Sequence, residues 1–99
     1  MNNKIAIIGH NHGVEFFSLI GLTPFPCKNS SDARKAIEKI YQEKNYALTF
    51  IVESLAYEIK DSIKDLGNYV LIPDHLGSSG IAQAKLTELI RSAIGLNLS

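Results

Sequence analysis

Ala47-Leu48-Thr49-Phe50-Ile51-Val52 is a nearly continuous apolar run in the middle of this 99-residue chain. Apolar character without alternation is typical of a strand covered on both faces, as in parallel sheets. Three other runs share this character and lie at residues 5–8, 25–27 and 69–72. We therefore expect four short strands, of which residues 25–27 form a weak edge strand because proline cannot donate to an interior ladder.

The segments between and after these runs have the apolar spacing of amphipathic helices, which places apolar side chains on one helix face. The three stripes are Ala33, Ala36, Ile37, Ile40 and Tyr41; Ala56, Ile59, Ile63 and Leu66; and Leu86, Leu89, Ile90, Ala93 and Ile94. Ser30 or Ser31 is expected to cap the first of these helices. A shorter helix is expected from about residue 13 to residue 22.

Alternation of strands and helices predicts an α/β fold with right-handed crossovers. We expect a four-stranded, mostly parallel sheet in the order 2-1-3-4 with helices on both faces, a truncated flavodoxin-like arrangement. The chain is expected to form a single domain. Residues 1–73 would be its α/β core, the turn-rich stretch 74–80 a hinge, and residues 81–99 a C-terminal helix and tail.

Composition excludes several classes of function. Ten basic and ten acidic residues cancel, so the chain lacks the positive charge that attracts nucleic acid. The lone Cys27 cannot form an internal disulfide and is interpreted as a core thiol in a reducing compartment. No stretch approaches the ~20 apolar residues of a membrane-spanning helix. We expect a cytoplasmic protein without direct membrane insertion.

Three histidines follow predicted strands, where ligands of such sheets usually bind. His10 and His12 come after the first strand, Glu53 and Ser54 after the third, and Pro73, Asp74 and His75 after the fourth. Imidazole suits a metal ion or a phosphoryl group. No carboxylate or cysteine stands at ligand spacing from His10 or His12, however, and both are interpreted as solvated loop residues.

No motif of nucleotide or phosphate chemistry is complete. The segment Gly9-His10-Asn11-His12-Gly13 lacks the second glycine of a dinucleotide fingerprint, and the chain contains no phosphate-binding P-loop. A phospho-receiver domain would need paired acids after the first strand, and this chain has His10 and Asn11 there. We expect no catalytic residue, no bound cofactor and no metal site.

One short segment allows an alternative. Ile5-Ala6-Ile7-Ile8-Gly9-His10 is similar to the start of histidine phosphocarrier domains of the mannose-type sugar phosphotransferase system, which carry a histidine straight after their first strand. On that interpretation His10 would be the phosphoryl acceptor. The similarity does not extend to other parts of the chain.

A second resemblance covers nearly the whole chain. Its segments are Lys4-Ile5-Ala6-Ile7-Ile8-Gly9 with Val14 and Gly21; Phe50-Ile51-Val52-Glu53-Ser54-Leu55-Ala56; and Leu71-Ile72-Pro73 leading through Gly77 and Gly80 to Ala93-Ile94-Gly95. In order and spacing they resemble the F subunit, the small central-stalk component of V/A-type rotary ATPases. The chain departs from that family after the first strand, where His10, Asn11 and His12 replace the usual acids.

This resemblance implies a non-catalytic rotor part of a bacterial V/A-type ATPase. Such a protein docks on the coiled coil of the D subunit, contacts the A/B catalytic head transiently, and helps couple ATP turnover to ion translocation. The family's C-terminal helix is thought to modulate hydrolysis. Leu86, Leu89, Ile90, Ala93 and Ile94 are accordingly the candidate partner-binding residues, although the same stripe could instead cover the sheet.

Overall fold

The computed structural model describes residues 4–10, 14–74, 88 and 91–92. The strands are β1 (Lys4–His10), β2 (Thr23–Cys27), β3 (Tyr46–Val52) and β4 (Tyr69–Ile72). The α-helices are α1 (Ser30–Glu43), α2 (Glu53–Glu58) and α3 (Lys60–Ile63), with 3-10 helices at Glu15–Ile20 and Lys64–Leu66. The predicted short helix near residues 13–22 is thus the first 3-10 helix. Glu88, Arg91 and Ser92 are helical and exposed.

The four strands form one sheet in the order β2-β1-β3-β4, and every neighbouring pair is parallel. The predicted fold class and strand order are therefore confirmed. The central strands are apolar because they are covered on both faces: Ile7, Ile8, Phe50 and Ile51 are all fully buried. They belong to one core that also includes Phe17 of the first 3-10 helix.

The sheet ends in two different edges. β2 carries Pro24 and Pro26, which are two residues apart and therefore direct their backbone nitrogens to the same side. Because a proline nitrogen cannot donate to β1, that side is the free edge, as predicted for a weak edge strand. This edge lacks N–H donors at both proline positions, which disfavours pairing with a further strand.

β4 forms the opposite edge and is only half covered. Its register pairs Thr49 with Tyr69 and Ile51 with Leu71, so these four residues share one face of the sheet. Thr49 and Ile51 are buried, whereas Tyr69 is 41% and Leu71 47% exposed. The expectation that β4 is covered on both faces is wrong for this face, where Tyr69 and Leu71 stay partly exposed although Thr49 and Ile51 beside them are buried.

The main helix, α1, packs as its spacing predicts, with one exception. Ala33, Ala36, Ile37 and Ile40 are buried, but Tyr41 is 58% exposed and does not belong to the buried stripe. Tyr41 follows Ile40 by about 100° around the helix, which takes it to the edge of a narrow apolar face.

The start of α1 differs from the sequence expectation. Its N-cap is Asn29, whose Oδ1 accepts a hydrogen bond from the Asp32 N–H at 3.0 Å. Asp32 in turn accepts from the Lys28 N–H at 3.0 Å. The expected caps, Ser30 and Ser31, are wrong because both already lie inside the helix. Asparagine satisfies the free N–H groups of a first turn as well as serine does.

The predicted helix through residues 56–66 is interrupted. The backbone leaves helical geometry at Ile59, with φ −122° and ψ 36°, and resumes in α3. Neither proline nor glycine causes this break; the fully buried Ile59 side chain is accommodated there. Arg34 Nη2 donates to the Glu58 carbonyl at 3.3 Å. This contact gives a partner to a carbonyl near the break.

Within the described residues no helix could span a bilayer. The longest of them, α1, has 14 residues, against the ~20 that a transmembrane helix requires.

Candidate functional site

Three polar side chains meet at the carboxyl edge of the sheet. His10 is the last residue of β1, Ser54 follows β3 as the second residue of α2, and Asp74 lies two residues beyond β4. The carboxyl ends of parallel strands lie at the same edge, which is where α/β folds place their ligands. We refer to these residues as the His10–Ser54–Asp74 cluster.

Hydrogen bonds connect all members of the cluster. His10 Nε2 lies 3.0 Å from Ser54 Oγ and 3.0 Å from Asp74 Oδ2. The Ser54 N–H donates to Asp74 Oδ1 at 2.8 Å, and the Ser54 hydroxyl donates to Asp74 Oδ2. Because β3 lies between β1 and β4, the cluster joins three consecutive strand ends.

The hydrogen-bonding pattern fixes where the proton of His10 must be. An ionised carboxylate only accepts, so Nε2 of His10 carries the hydrogen in its contact with Asp74. The Ser54 hydroxyl gives its own hydrogen to Asp74 and accepts from Nε2. The neutral Nε2–H tautomer and the imidazolium ion both satisfy this arrangement.

The pKa of Asp74 reflects two opposing influences. Partial burial acts to raise it, but the hydrogen bonds from the Ser54 side chain, the Ser54 N–H and His10, together with the nearby charge of His10, outweigh burial. The pKa of Asp74 is therefore lowered from its ordinary value. The side chains of His10 and Asp74 are 52% and 33% exposed, so water also reaches the pair.

The cluster contains the residue types of a serine hydrolase but not its geometry. In such enzymes one histidine nitrogen accepts the proton of the serine, and the other donates a hydrogen bond to the aspartate. Here Ser54 and Asp74 both contact Nε2. No group of three histidine, cysteine, aspartate or glutamate side chains lies at metal-binding distance in the part of the chain that the structure describes. The arrangement cross-links strand ends.

His10 is half exposed, as expected for a solvated side chain, but it ends β1 and does not lie in a loop, and the expectation that it has no carboxylate partner is wrong. Asp74 is 64 residues away in the sequence, so local spacing did not reveal it. His12 and His75, the other two histidines singled out from the sequence, lie outside the described residues. The partner-binding candidates Leu86, Leu89, Ile90, Ala93 and Ile94 also lie outside them, as does the hinge expected at residues 74–80 except for Asp74.

The one cysteine behaves as the predicted core thiol. Cys27 is buried, and its Sγ donates to the Phe25 carbonyl at 3.3 Å. Burial, and secondarily the negative charge of Asp32, raises the pKa of Cys27 to about 11. The thiolate required of a nucleophile or a metal ligand is thus disfavoured at neutral pH.

A groove of about 640 Å³ runs between β2 and α1. Lysines and acids both line it, among them Lys35, Lys39, Asp32 and Glu43. Because the two signs of charge are mixed, the groove favours neither an anion nor a cation.

Exposed apolar side chains mark candidate contact surfaces. Leu19 is 79% exposed on the first 3-10 helix, and Tyr57 is 71% exposed on α2 with the Lys60 ammonium 4.1 Å from its ring centre. Tyr69 and Leu71 differ because they are neighbours on one face of β4, about 7 Å apart. We refer to this pair as the β4 apolar pair; the sequence did not suggest it because its run was expected to be buried.

Comparison with known proteins gives a consistent result. The family model described as ATP synthase (F/14-kDa) subunit matches residues 5–90. The chain is 36% identical to the A-type ATP synthase F subunit of Methanocaldococcus jannaschii over 98 aligned residues, which cover 96% of this chain and 98% of that protein.

Two bacterial relatives agree with this match. The V-type ATP synthase F subunit of Fusobacterium nucleatum is 34% identical over 97 aligned residues, covering 93% of this chain and 91% of that protein. The V-type ATP synthase F subunit of Clostridium perfringens is 29% identical over 103 aligned residues, covering 99% and 97%. None of these matches supports the phosphocarrier alternative based on His10.

Proposed function

The chain belongs to the family of the ATP synthase (F/14-kDa) subunit and is a component of a V/A-type ATPase, and we propose that it is the non-catalytic central-stalk subunit of a bacterial complex of this type. In this role it docks on the coiled coil of the D subunit and turns with it. It contacts the A/B head transiently and helps to couple ATP turnover there to ion translocation. Its location is cytoplasmic, peripheral to the membrane.

The β4 apolar pair is the structural observation that best supports docking. A helical coiled coil binds through apolar side chains on a flat or shallow surface. Tyr69 and Leu71 offer such a surface on β4, which is an edge strand of the sheet formed by the described residues. The opposite edge offers a strand without N–H donors at Pro24 and Pro26. We therefore place the contact with the D subunit at β4.

Regulation of hydrolysis is assigned to the C-terminal segment, residues 81–99. The apolar spacing in this segment is that of a helix with a single apolar face, which can pack against one partner at a time. The residues of this stripe are Leu86, Leu89, Ile90, Ala93 and Ile94. A helix of this kind can cover the sheet or bind a second helix, and these two states would compete.

The docking proposal is tested with the purified D subunit. We expect a stable complex on size-exclusion chromatography, and Leu71→Ser should weaken it about five- to tenfold in Kd. Leu71 is about half exposed, so docking would bury the remaining half of its side-chain surface. That burial contributes roughly half of the ~1.5–3 kcal/mol that a fully buried leucine provides. A serine at this position would lose this contribution and would also have to desolvate its hydroxyl group. Leu19→Ser is the matched control, because Leu19 is more exposed and its 3-10 helix packs against β2, at the sheet edge opposite β4.

Two outcomes would count against the proposal. If the chain and the D subunit elute separately at micromolar concentration, the chain is not a docked part of the stalk. If Leu19→Ser weakens binding as much as Leu71→Ser does, the contact does not lie at β4.

A further inference from the structure

The His10–Ser54–Asp74 cluster holds the chain at the point where it leaves the sheet. Asp74 stands just past the end of β4, and both of its carboxylate oxygens accept hydrogen bonds from residues of other strand ends. The Ser54 backbone N–H is one of the donors, so the contact involves main chain as well as side chains. Residues 75–99 continue from this position.

The strength of the cluster depends on the charge of His10. With a neutral imidazole, Nε2–H donates to a carboxylate across 3.0 Å; with an imidazolium ion, the same contact is also an ion pair. Histidine is the side chain whose charge ordinarily changes near neutral pH.

Other ionisable residues stand on the elements that end or begin at this edge of the sheet. They are Glu15 on the first 3-10 helix, Cys27 at the end of β2, Lys28 just after it, Asp32 in the first turn of α1, and Glu53 at the start of α2. Carboxyl and amino side chains ordinarily titrate well outside the range of about pH 6 to pH 8. The pKa of Cys27 is raised to about 11, so its thiol stays protonated. His12 and His75 lie outside the described residues.

We propose that the His10–Ser54–Asp74 cluster is a pH-sensitive tie, in which protonation of His10 tightens the hold on Asp74 and fixes the exit of the chain from the sheet. The tie loosens as pH rises and His10 becomes neutral. This inference does not depend on docking to the D subunit, because it concerns contacts within the chain alone.

The Ser54 amide gives a direct test, because its N–H donates to Asp74 Oδ1 only while the tie is closed. Solvent-exchange NMR would measure its protection, relative to an unstructured peptide, at about pH 6 and about pH 8. We expect protection to fall about two- to fivefold between these values, as for the loss of an exposed ion pair. His10→Gln should remove this pH dependence.

The Asp32 amide is the internal control. It also donates to a side-chain oxygen near the surface, that of Asn29, but lies far from His10 in sequence and on another element. Its protection should be the same at both pH values in every variant. Asp74→Asn provides a second test, because it removes the charge that responds to His10 and should also abolish the pH dependence at Ser54.

The proposal is overturned if Ser54 protection is independent of pH in the parent chain. It is equally overturned if the dependence persists in His10→Gln or in Asp74→Asn, either of which would assign it to another group. If one variant loses protection throughout the core, the other variant provides the comparison.

Discussion

Replacing Asp74 by asparagine tests the energetics of the cluster. The change keeps the shape of the side chain but removes its charge, and it alters three hydrogen bonds, from the Ser54 hydroxyl, the Ser54 N–H and His10 Nε2. Hydrogen bonds to a charged group contribute about 1.5–3 kcal/mol when shielded and less at the surface. With Asp74 one-third exposed, we expect Asp74→Asn to lower the free energy of unfolding at neutral pH by about 1–2 kcal/mol.

The loss should depend on pH with a definite sign. The pKa of Asp74 is lowered in the folded chain, so the parent gains stability above the pKa of an unfolded aspartate, about 3.9. That stability disappears as pH falls through the lowered pKa of the folded state. The difference between parent and Asp74→Asn should therefore be nearly complete at about pH 5 and shrink toward acid; a smaller decrease between about pH 6 and pH 8 is the separate effect proposed for His10.

Urea unfolding followed by circular dichroism measures both effects. With a slope of about 1–2 kcal/mol per molar, the neutral-pH midpoint should fall by roughly 1 M. Asp61→Asn is the matched control: Asp61 pairs with Arg34 at 3.9 Å, and both side chains are well exposed. Its loss should stay below about 0.5 kcal/mol. Equal losses in the two variants, or a loss for Asp74→Asn that is unchanged in acid, would refute the reasoning.

Two further predictions concern helix ends, and both are checked by the same urea unfolding experiment. Asn29→Ala should cost about 1 kcal/mol because it removes the cap of α1, while Ser30→Ala and Ser31→Ala should change stability by less than about 0.5 kcal/mol. Equal effects at the three positions would contradict the assigned cap. Lys44→Gly should raise the free energy of unfolding by about 0.5–1 kcal/mol. The reason is that Lys44 ends α1 with its backbone in the left-handed region, at φ 57°, which glycine adopts without strain. A loss of stability would show instead that the lysine side chain makes a stabilising contact of its own.

The strand order could be predicted because it follows from local patterns. Continuous apolar runs identify the covered strands, and the proline-rich run at residues 25–27 identifies an edge. Right-handed crossovers leave few arrangements for four parallel strands, and the order β2-β1-β3-β4 is one of them. The buried stripe of α1 could also be predicted, since Ala33, Ile37 and Ile40 stand at helical spacing.

The candidate site could not be predicted for a physical reason. Ser54 and Asp74 lie 44 and 64 residues beyond His10 along the chain, and the three meet only because three parallel strands end together. Sequence reasoning placed His10, Ser54 and Asp74 after strands that end at the same edge but gave no means of pairing their side chains. Exposure of Tyr69 and Leu71 was missed for a related reason: an apolar run does not reveal whether anything covers its second face.

Rotation of the chain within the assembled ATPase tests the central claim most directly. A Leu19→Cys variant can be labelled selectively, because Leu19 is 79% exposed whereas Cys27 is buried with its pKa raised to about 11. A bead would be attached to this cysteine in a complex whose other subunits lack exposed cysteines and whose head is fixed to glass. We predict that the bead rotates in one direction when ATP is added. A bead that stays still while the same complexes hydrolyse ATP would contradict the assignment of this chain to the rotor.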